Sequence, residues 1–133
     1  MSGLTSIDWD VRAFKTKAFT RFSRKSQITD DTLLDAIDRA ERGLIDADLG
    51  SGVIKQRVAR AGEGKSGGFR VIVFLRHGER AFFVHGFAKN EKDNIHQDEL
   101  AVLKRLAMAM LAYDDAALEL AMANGTLMEV KRP

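Results

Sequence analysis

Three cations stand out by residue type and spacing. Lys55 and Arg57 lie two apart in Val53-Ile-Lys-Gln-Arg-Val, and Arg70 follows a glycine-rich stretch in Gly67-Gly-Phe-Arg-Val-Ile. Both runs are rich in β-branched residues and read as strands, where side chains two apart share a face. Lys55 and Arg57 thus point one way with Val53 and Ala59, and Ile54, Gln56 and Val58 point the other. Arg70 shares its face with Ile72 and Phe74. Cations held by rigid strands suit a phosphate partner. One reaction open to them is RNA cleavage, in which the substrate's own 2′-hydroxyl is the nucleophile and the protein supplies positioning, proton transfer and charge neutralisation.

Other chemistries find less support. The chain has no cysteine, which removes disulfides and thiolate ligands and suits a reducing compartment. Its histidines, His77, His85 and His96, sit in separate contexts without a clustered ligand set, so no metal site is expected. His77 reads as a solvated turn residue and His85, inside an apolar strand, as a hydrogen-bonded core residue rather than a catalytic one. The Gly64-Lys-Ser segment resembles part of a phosphate-binding loop, but the glycine that pattern needs is Ala59 here, and the loop leads into a strand instead of a helix. Lys65 and the loop's backbone N–H groups remain able to meet a phosphate.

The elements that must position these residues form a meander from Val53 to His96. Its runs are separated by a glycine-rich loop at residues 61–68 and a His77-Gly78 turn. Nine basic residues (Lys55, Arg57, Arg60, Lys65, Arg70, Arg76, Arg80, Lys89 and Lys92) outnumber the acids of this stretch, although the whole chain carries a formal charge of only +2. A cationic sheet surface follows, suited to a polyphosphate such as nucleic acid. In the third run Phe83, His85 and Phe87 alternate with Phe82, Val84 and Gly86, and two apolar faces predict a central strand.

Before the meander, residues 10–16 alternate as a short strand, with Val11, Ala13 and Lys15 on one side and Arg12 and Phe14 on the other. Residues 17–25 have helical spacing, and six basic residues without an acid fall between Arg12 and Lys25; they read as a solvated helix face. Thr29 caps a helix expected to run to Arg42, with Leu33, Ile37, Ala40 and Leu44 as its apolar stripe and Asp31, Asp35, Asp38 and Glu41 on its solvated surface. Residues 46–52 read as a connection. After the meander, Asn94 with Gln97 predicts a capped helix carrying Leu100, Leu103, Ala107, Met110 and Leu111 inward. A short helix should run from Asp114-Asp115 to Asn124-Gly125, followed by a small strand within residues 126–130.

With 133 residues, 45% of them hydrophobic, the chain is expected to form a single domain around one core. Residues 1–9 are expected to form a tail, with Trp9 pinning its end. No signal-like start and no bilayer-length apolar run is present, which predicts a cytoplasmic protein without a membrane partner. The fold class expected is α+β: a small antiparallel sheet with two N-terminal helices packed on one face and C-terminal helices added.

Taken together, Val53-Ile-Lys-Gln-Arg-Val-Ala-Arg, Gly64-Lys-Ser-Gly-Gly-Phe-Arg-Val-Ile and Phe83-Val-His-Gly-Phe-Ala-Lys-Asn-Glu, with Asp93-Asn-Ile behind them, closely resemble the RelE/HigB-like toxins of bacterial type II toxin-antitoxin systems. The likeness runs over residues 10–112, leaving 113–133 as a C-terminal extension. It implies the RelE-like microbial RNase-type fold and a toxin that cuts mRNA in the ribosomal A site without metal or cofactor. Its partners would be the ribosome, mRNA and a cognate antitoxin, of helix-turn-helix type. By this resemblance Arg70 meets the developing charge on the scissile phosphate, and Lys55 and Arg57 orient substrate or transfer a proton. Lys65, Lys89, Arg60 and Lys92 would contact RNA. The best-known member has an arginine where Asn90 stands and a base-stacking tyrosine at His96. That leaves His96 as either a stacking or proton-transferring group or a solvated first-turn residue, with Glu91 and Asp93 as further proton-transfer candidates. Two other readings compete: a DNA gyrase inhibitor like the ParE branch of the same superfamily, which shares the fold, and a non-catalytic RNA-binding protein.

Overall fold

The computed structural model describes residues 11–59, 68–88 and 95–132. In chain order the elements are β1 (Arg12–Thr16), α1 (Lys17–Lys25), α2 (Asp30–Glu41), β2 (Ala47–Gly50), β3 (Val53–Val58), β4 (Phe69–Arg76), β5 (Arg80–Ala88), α3 (Gln97–Leu111), α4 (Asp115–Ala123) and β6 (Leu127–Glu129). The strands form one sheet in the order β2-β3-β4-β5-β1-β6. This is the expected α+β architecture, with β5 in an interior position. The expected antiparallel pairing holds for the meander and for β6 on β1, while β1 runs parallel to β5, Ala13 lying opposite Ala81. The helices between β1 and β2 make that parallel pairing possible, because a parallel neighbour needs a long crossover.

Each sheet face has its own core. On one, α1 and α2 bring Phe19, Leu33, Ile37 and Ala40 against Ile54, Val71, Val73 and Phe83. On the other, Ala107, Met110 and Leu118 of α3 and α4 meet Phe14, Val53, Ile72, Phe74 and Phe82. Capping follows local chemistry: the Thr29 hydroxyl accepts the Thr32 N–H at 3.3 Å, and the Asp114 carboxylate accepts the Ala117 N–H at 2.8 Å. At the far edge Arg12 grips Glu129 through Nε at 2.9 Å and Nη2 at 3.1 Å, so a bidentate ion pair fastens β6 to β1. The hydrogen bond to Glu129 keeps the Arg12 guanidinium above its ordinary pKa.

Several expectations change. A core on each sheet face replaces the single core expected, and Glu41 of the expected solvated face has its side chain only 2% exposed beneath the Gly78 turn. Four local features differ as well. Leu44 is exposed, because α2 stops at Glu41 and Gly43 turns the chain at φ +86°, carrying Leu44 off the helical stripe. Leu34 and Ala36 are buried in its place. The expected connection at residues 46–52 contains β2, a short edge strand that pairs with β3 through a turn in which Gly50, Ser51 and Gly52 all take positive φ. The helix after the meander begins at Gln97, so its cap is His96, whose backbone N–H donates to Glu99 at 3.2 Å; Asn94 lies outside the described residues. Finally, β5 carries a bulge: Ile72 faces His85 while Val73 faces Phe83, leaving Val84 as the extra residue. The simple alternation therefore breaks, Phe83 facing α1 while Val84 and Phe87 join the α3 side. His85 is exposed, not a core residue.

Beyond the bulge, Gly86 faces α1. A Cβ there would stand 2.2 Å from the Phe22 ring, which packs edge-on against Phe69 with centroids 5.6 Å apart. Gly86→Ala is expected to destabilise by roughly 2 kcal/mol through overpacking, read as a lower thermal midpoint. An unchanged midpoint would mean that Phe22 swings aside without loss.

Candidate functional site

Strand register assembles the cations foreseen from sequence. Arg57 lies directly opposite Arg70, which lies opposite Phe87; one step along, Lys55 lies opposite Ile72 and Ile72 opposite His85. Two cross-strand rows thus place Lys55, Arg57, Arg70, His85 and Phe87 on the face away from α1 and α2. Lys55 is half-buried, the Arg57 side chain is 49% exposed and that of Arg70 only 10%.

Like charges directly opposite each other on a sheet repel. Asp46, just before β2, offsets this repulsion: its Oδ1 accepts from Arg57 Nε at 2.9 Å, and its Oδ2 stands 3.7 Å from Arg70 Nε. Asp46 is itself held by Gln56, a fully buried residue of β3. Gln56 Oε1 accepts the Asp46 N–H at 2.8 Å, while its Nε2 donates to the carbonyls of Ala36 at 3.0 Å and Leu44 at 3.1 Å. A third tie comes from α2, where Arg39 Nη2 donates to the Arg57 carbonyl at 2.7 Å and its Nε pairs with Asp35 at 3.0 Å. The result is a rigid set of charged groups on strand backbones, braced by a polar network between sheet and helix.

Beside the cations the His85 and Phe87 rings stand 5.8 Å apart. His85 also lines a notch of about 350 Å³ with Val84, Ile95, Glu99, Val102 and Leu103. The exposed His85 imidazole, next to the cations, offers a surface on which a base can stack, while Phe87, only 6% exposed, packs into the core. His96 occupies the exposed N-cap of α3, next to Ile95 of that notch. His77 is 71% exposed, as a turn residue should be, with its Nδ1 3.0 Å from Glu41.

The structure therefore brings Lys55, Arg57 and Arg70 together. Arg60, Lys65, Lys89, Glu91 and Lys92, together with Asn90 and Asp93, lie outside the described residues. Sequence reasoning missed Asp46, which it left in a connection, and the role of Gln56. Gln56 did carry a signal: a lone amide on the apolar Ile54-Val58 face must find partners. Among the described residues no group of three or more His, Asp or Glu side chains is arranged to hold a metal ion, and no helix is long and apolar enough to cross a membrane.

The model of one protein family, the RelE toxin of the RelE/RelB toxin-antitoxin system, matches residues 11–130. The chain belongs to the RelE toxin family. The match embraces β6 and most of the segment expected to be an extension, in keeping with the pairing of β6 to β1 within the same sheet. No curated protein matches the sequence. Membership makes this chain a toxin of a toxin-antitoxin system and implies an antitoxin partner.

Proposed function

We propose that this RelE-family toxin is a ribosome-dependent, metal-independent mRNA endonuclease. The observation that carries the reading is the cross-strand pair Arg57 and Arg70 with Lys55 beside it, three cations fixed by backbone register on one sheet face. In the reaction the 2′-oxygen attacks the adjacent phosphorus, the bond to the 5′-oxygen breaks, and a 2′,3′-cyclic phosphate and a 5′-hydroxyl result. A base takes the 2′-hydroxyl proton and an acid supplies one to the leaving oxygen. Arg70 neutralises charge on the phosphate oxygens, Lys55 and Arg57 orient the strand or move a proton, and His96 and Glu91 are the remaining candidates for proton transfer. Arg60, Lys65, Lys89 and Lys92 add salt-dependent contacts to the RNA backbone. The ribosome contributes the mRNA in a fixed conformation, and a helix-turn-helix antitoxin neutralises the toxin by covering or distorting the basic sheet.

Inducing the chain alone should arrest growth and create transcript 5′ ends inside translated codons, and co-expressing the neighbouring antitoxin frame should restore growth. Mapping of transcript ends after induction tests this. DNA breaks beside intact mRNA would replace the reading with gyrase inhibition, and growth arrest with neither would leave a non-catalytic RNA-binding protein.

A further inference from the structure

Among the cations of the candidate site stands one acid that the cleavage reading does not use. We propose that Asp46 is a positioning residue: it holds the Nε edges of Arg57 and Arg70, so that the two guanidinium groups together form a cradle for one phosphodiester. The inference rests on the cleavage reading above.

Three features support it. The single carboxylate spans both arginines, with one oxygen 2.9 Å from Arg57 and the other 3.7 Å from Arg70. A guanidinium bound through Nε keeps its Nη donors for a second anion, so binding to Asp46 orients the fork without using all of it. The carboxylate is also fixed from outside the site, its side chain only 15% exposed and its N–H held by the buried Gln56. A mobile surface acid would gain little from such pairs. The two distances differ in a useful direction. Arg57 donates to Asp46 through Nε, whereas Arg70 Nε stands within ion-pair range of it and Arg70 Nη1 donates to the Phe69 carbonyl at 3.4 Å. Arg70 is therefore the arm whose Nε is less committed to Asp46, free to meet a phosphate from its place on β4 while Asp46 retains Arg57. Asp46 also keeps the trio at one net positive charge, which lets two opposed cations stand close before RNA arrives.

Positioning and simple competition for the arginines make opposite predictions. Removing a competitor improves both binding and cleavage. Removing a positioning group raises the net positive charge and so the affinity for RNA, but slows the reaction. The test compares wild type, Asp46→Ala and Asp46→Asn in full-length protein. It uses single-turnover cleavage of ribosome-bound mRNA, binding of a 2′-O-methyl RNA oligonucleotide across salt concentrations, thermal melting, and the arginine Nε–H signals in nitrogen-edited NMR spectra. For Asp46→Ala we expect oligonucleotide binding a few-fold tighter at low salt, cleavage slower by about tenfold, and movement of the Arg57 and Arg70 Nε–H signals. Asp46→Asn should recover part of the rate, since its amide oxygen still accepts one Nε–H. Tighter binding with unchanged or faster cleavage would overturn the proposal in favour of competition, and parallel loss of melting temperature, binding and rate would overturn it in favour of a merely structural acid. If wild type neither binds nor cleaves, the cleavage reading fails first. The NMR signals then decide separately whether Asp46 holds the two arginines, and Nε–H signals unmoved in Asp46→Ala would overturn that too.

Discussion

Arg70→Ala is expected to slow cleavage of ribosome-bound mRNA about a hundredfold, a loss of roughly 3 kcal/mol of transition-state stabilisation, the scale of removing one donor to a developing oxyanion. The site supplies the reasons. Arg70 sits on β4, an interior strand, directly opposite Arg57, with its side chain 10% exposed. A guanidinium held there needs little reorganisation as charge gathers on phosphate oxygens, and its partial burial strengthens the interaction over one in open solvent. Ribosome affinity should fall far less, because that salt-dependent term is spread over many cations. Arg70→Lys should recover only part of the rate, since an ammonium preserves the charge but not the fork. Single-turnover cleavage, ribosome affinity and thermal melting, measured on the same preparations, separate the outcomes. Unchanged cleavage by folded Arg70→Ala would sink the active-site assignment. Equal losses of rate and affinity would recast Arg70 as a binding residue.

The cation cluster was legible in the sequence because a strand has a fixed period. Alternation put Lys55 and Arg57 on one side of their strand and Arg70 with Ile72 on one side of theirs, and antiparallel pairing then brought the two rows onto the same sheet face. Helix boundaries followed equally local chemistry at Thr29 and Asp114. What stayed hidden depended on contacts distant in sequence or on a departure from period. Nothing in Asp46-Ala-Asp-Leu-Gly-Ser-Gly marks a strand, since edge strand β2 owes its form to pairing with β3 more than to its own propensity. Without β2, Asp46 had no reason to be near the arginines. The extra residue at Val84 likewise hides in an apolar run where alternation looks regular, and it moves His85 from the expected core to the exposed site face. The roles proposed for the site residues come from the resemblance to RelE-like toxins and not from spacing, since a cationic sheet suits several polyphosphate partners.

The second large effect is expected at a residue that would touch no RNA. Gln56 is fully buried, and its amide joins three segments: the middle of α2 at Ala36, the turn after that helix at Leu44, and Asp46 beside the arginines. Gln56→Leu keeps much of the volume but removes all three hydrogen bonds. The Ala36 carbonyl can still serve its helix, whereas the Leu44 carbonyl and the Asp46 N–H lose the amide that meets them. At 1–3 kcal/mol for each buried polar group left without a partner, the expected cost is about 3 kcal/mol. On the usual scaling for a chain of this size, the thermal midpoint should fall by roughly 10 °C. Gln56→Glu should fare no better, because a carboxylate keeps the acceptor for Asp46 but aims negative charge at two carbonyls and must be buried. Denaturant unfolding of both variants gives the stability change. Cleavage at a temperature where both remain folded then shows whether loosening Asp46 also slows the reaction. A stability loss below about 1 kcal/mol for Gln56→Leu would mean that water or a shift of the Leu44–Asp46 segment satisfies the abandoned groups. The network would then be a consequence of the fold and not one of the contacts that holds the site in place.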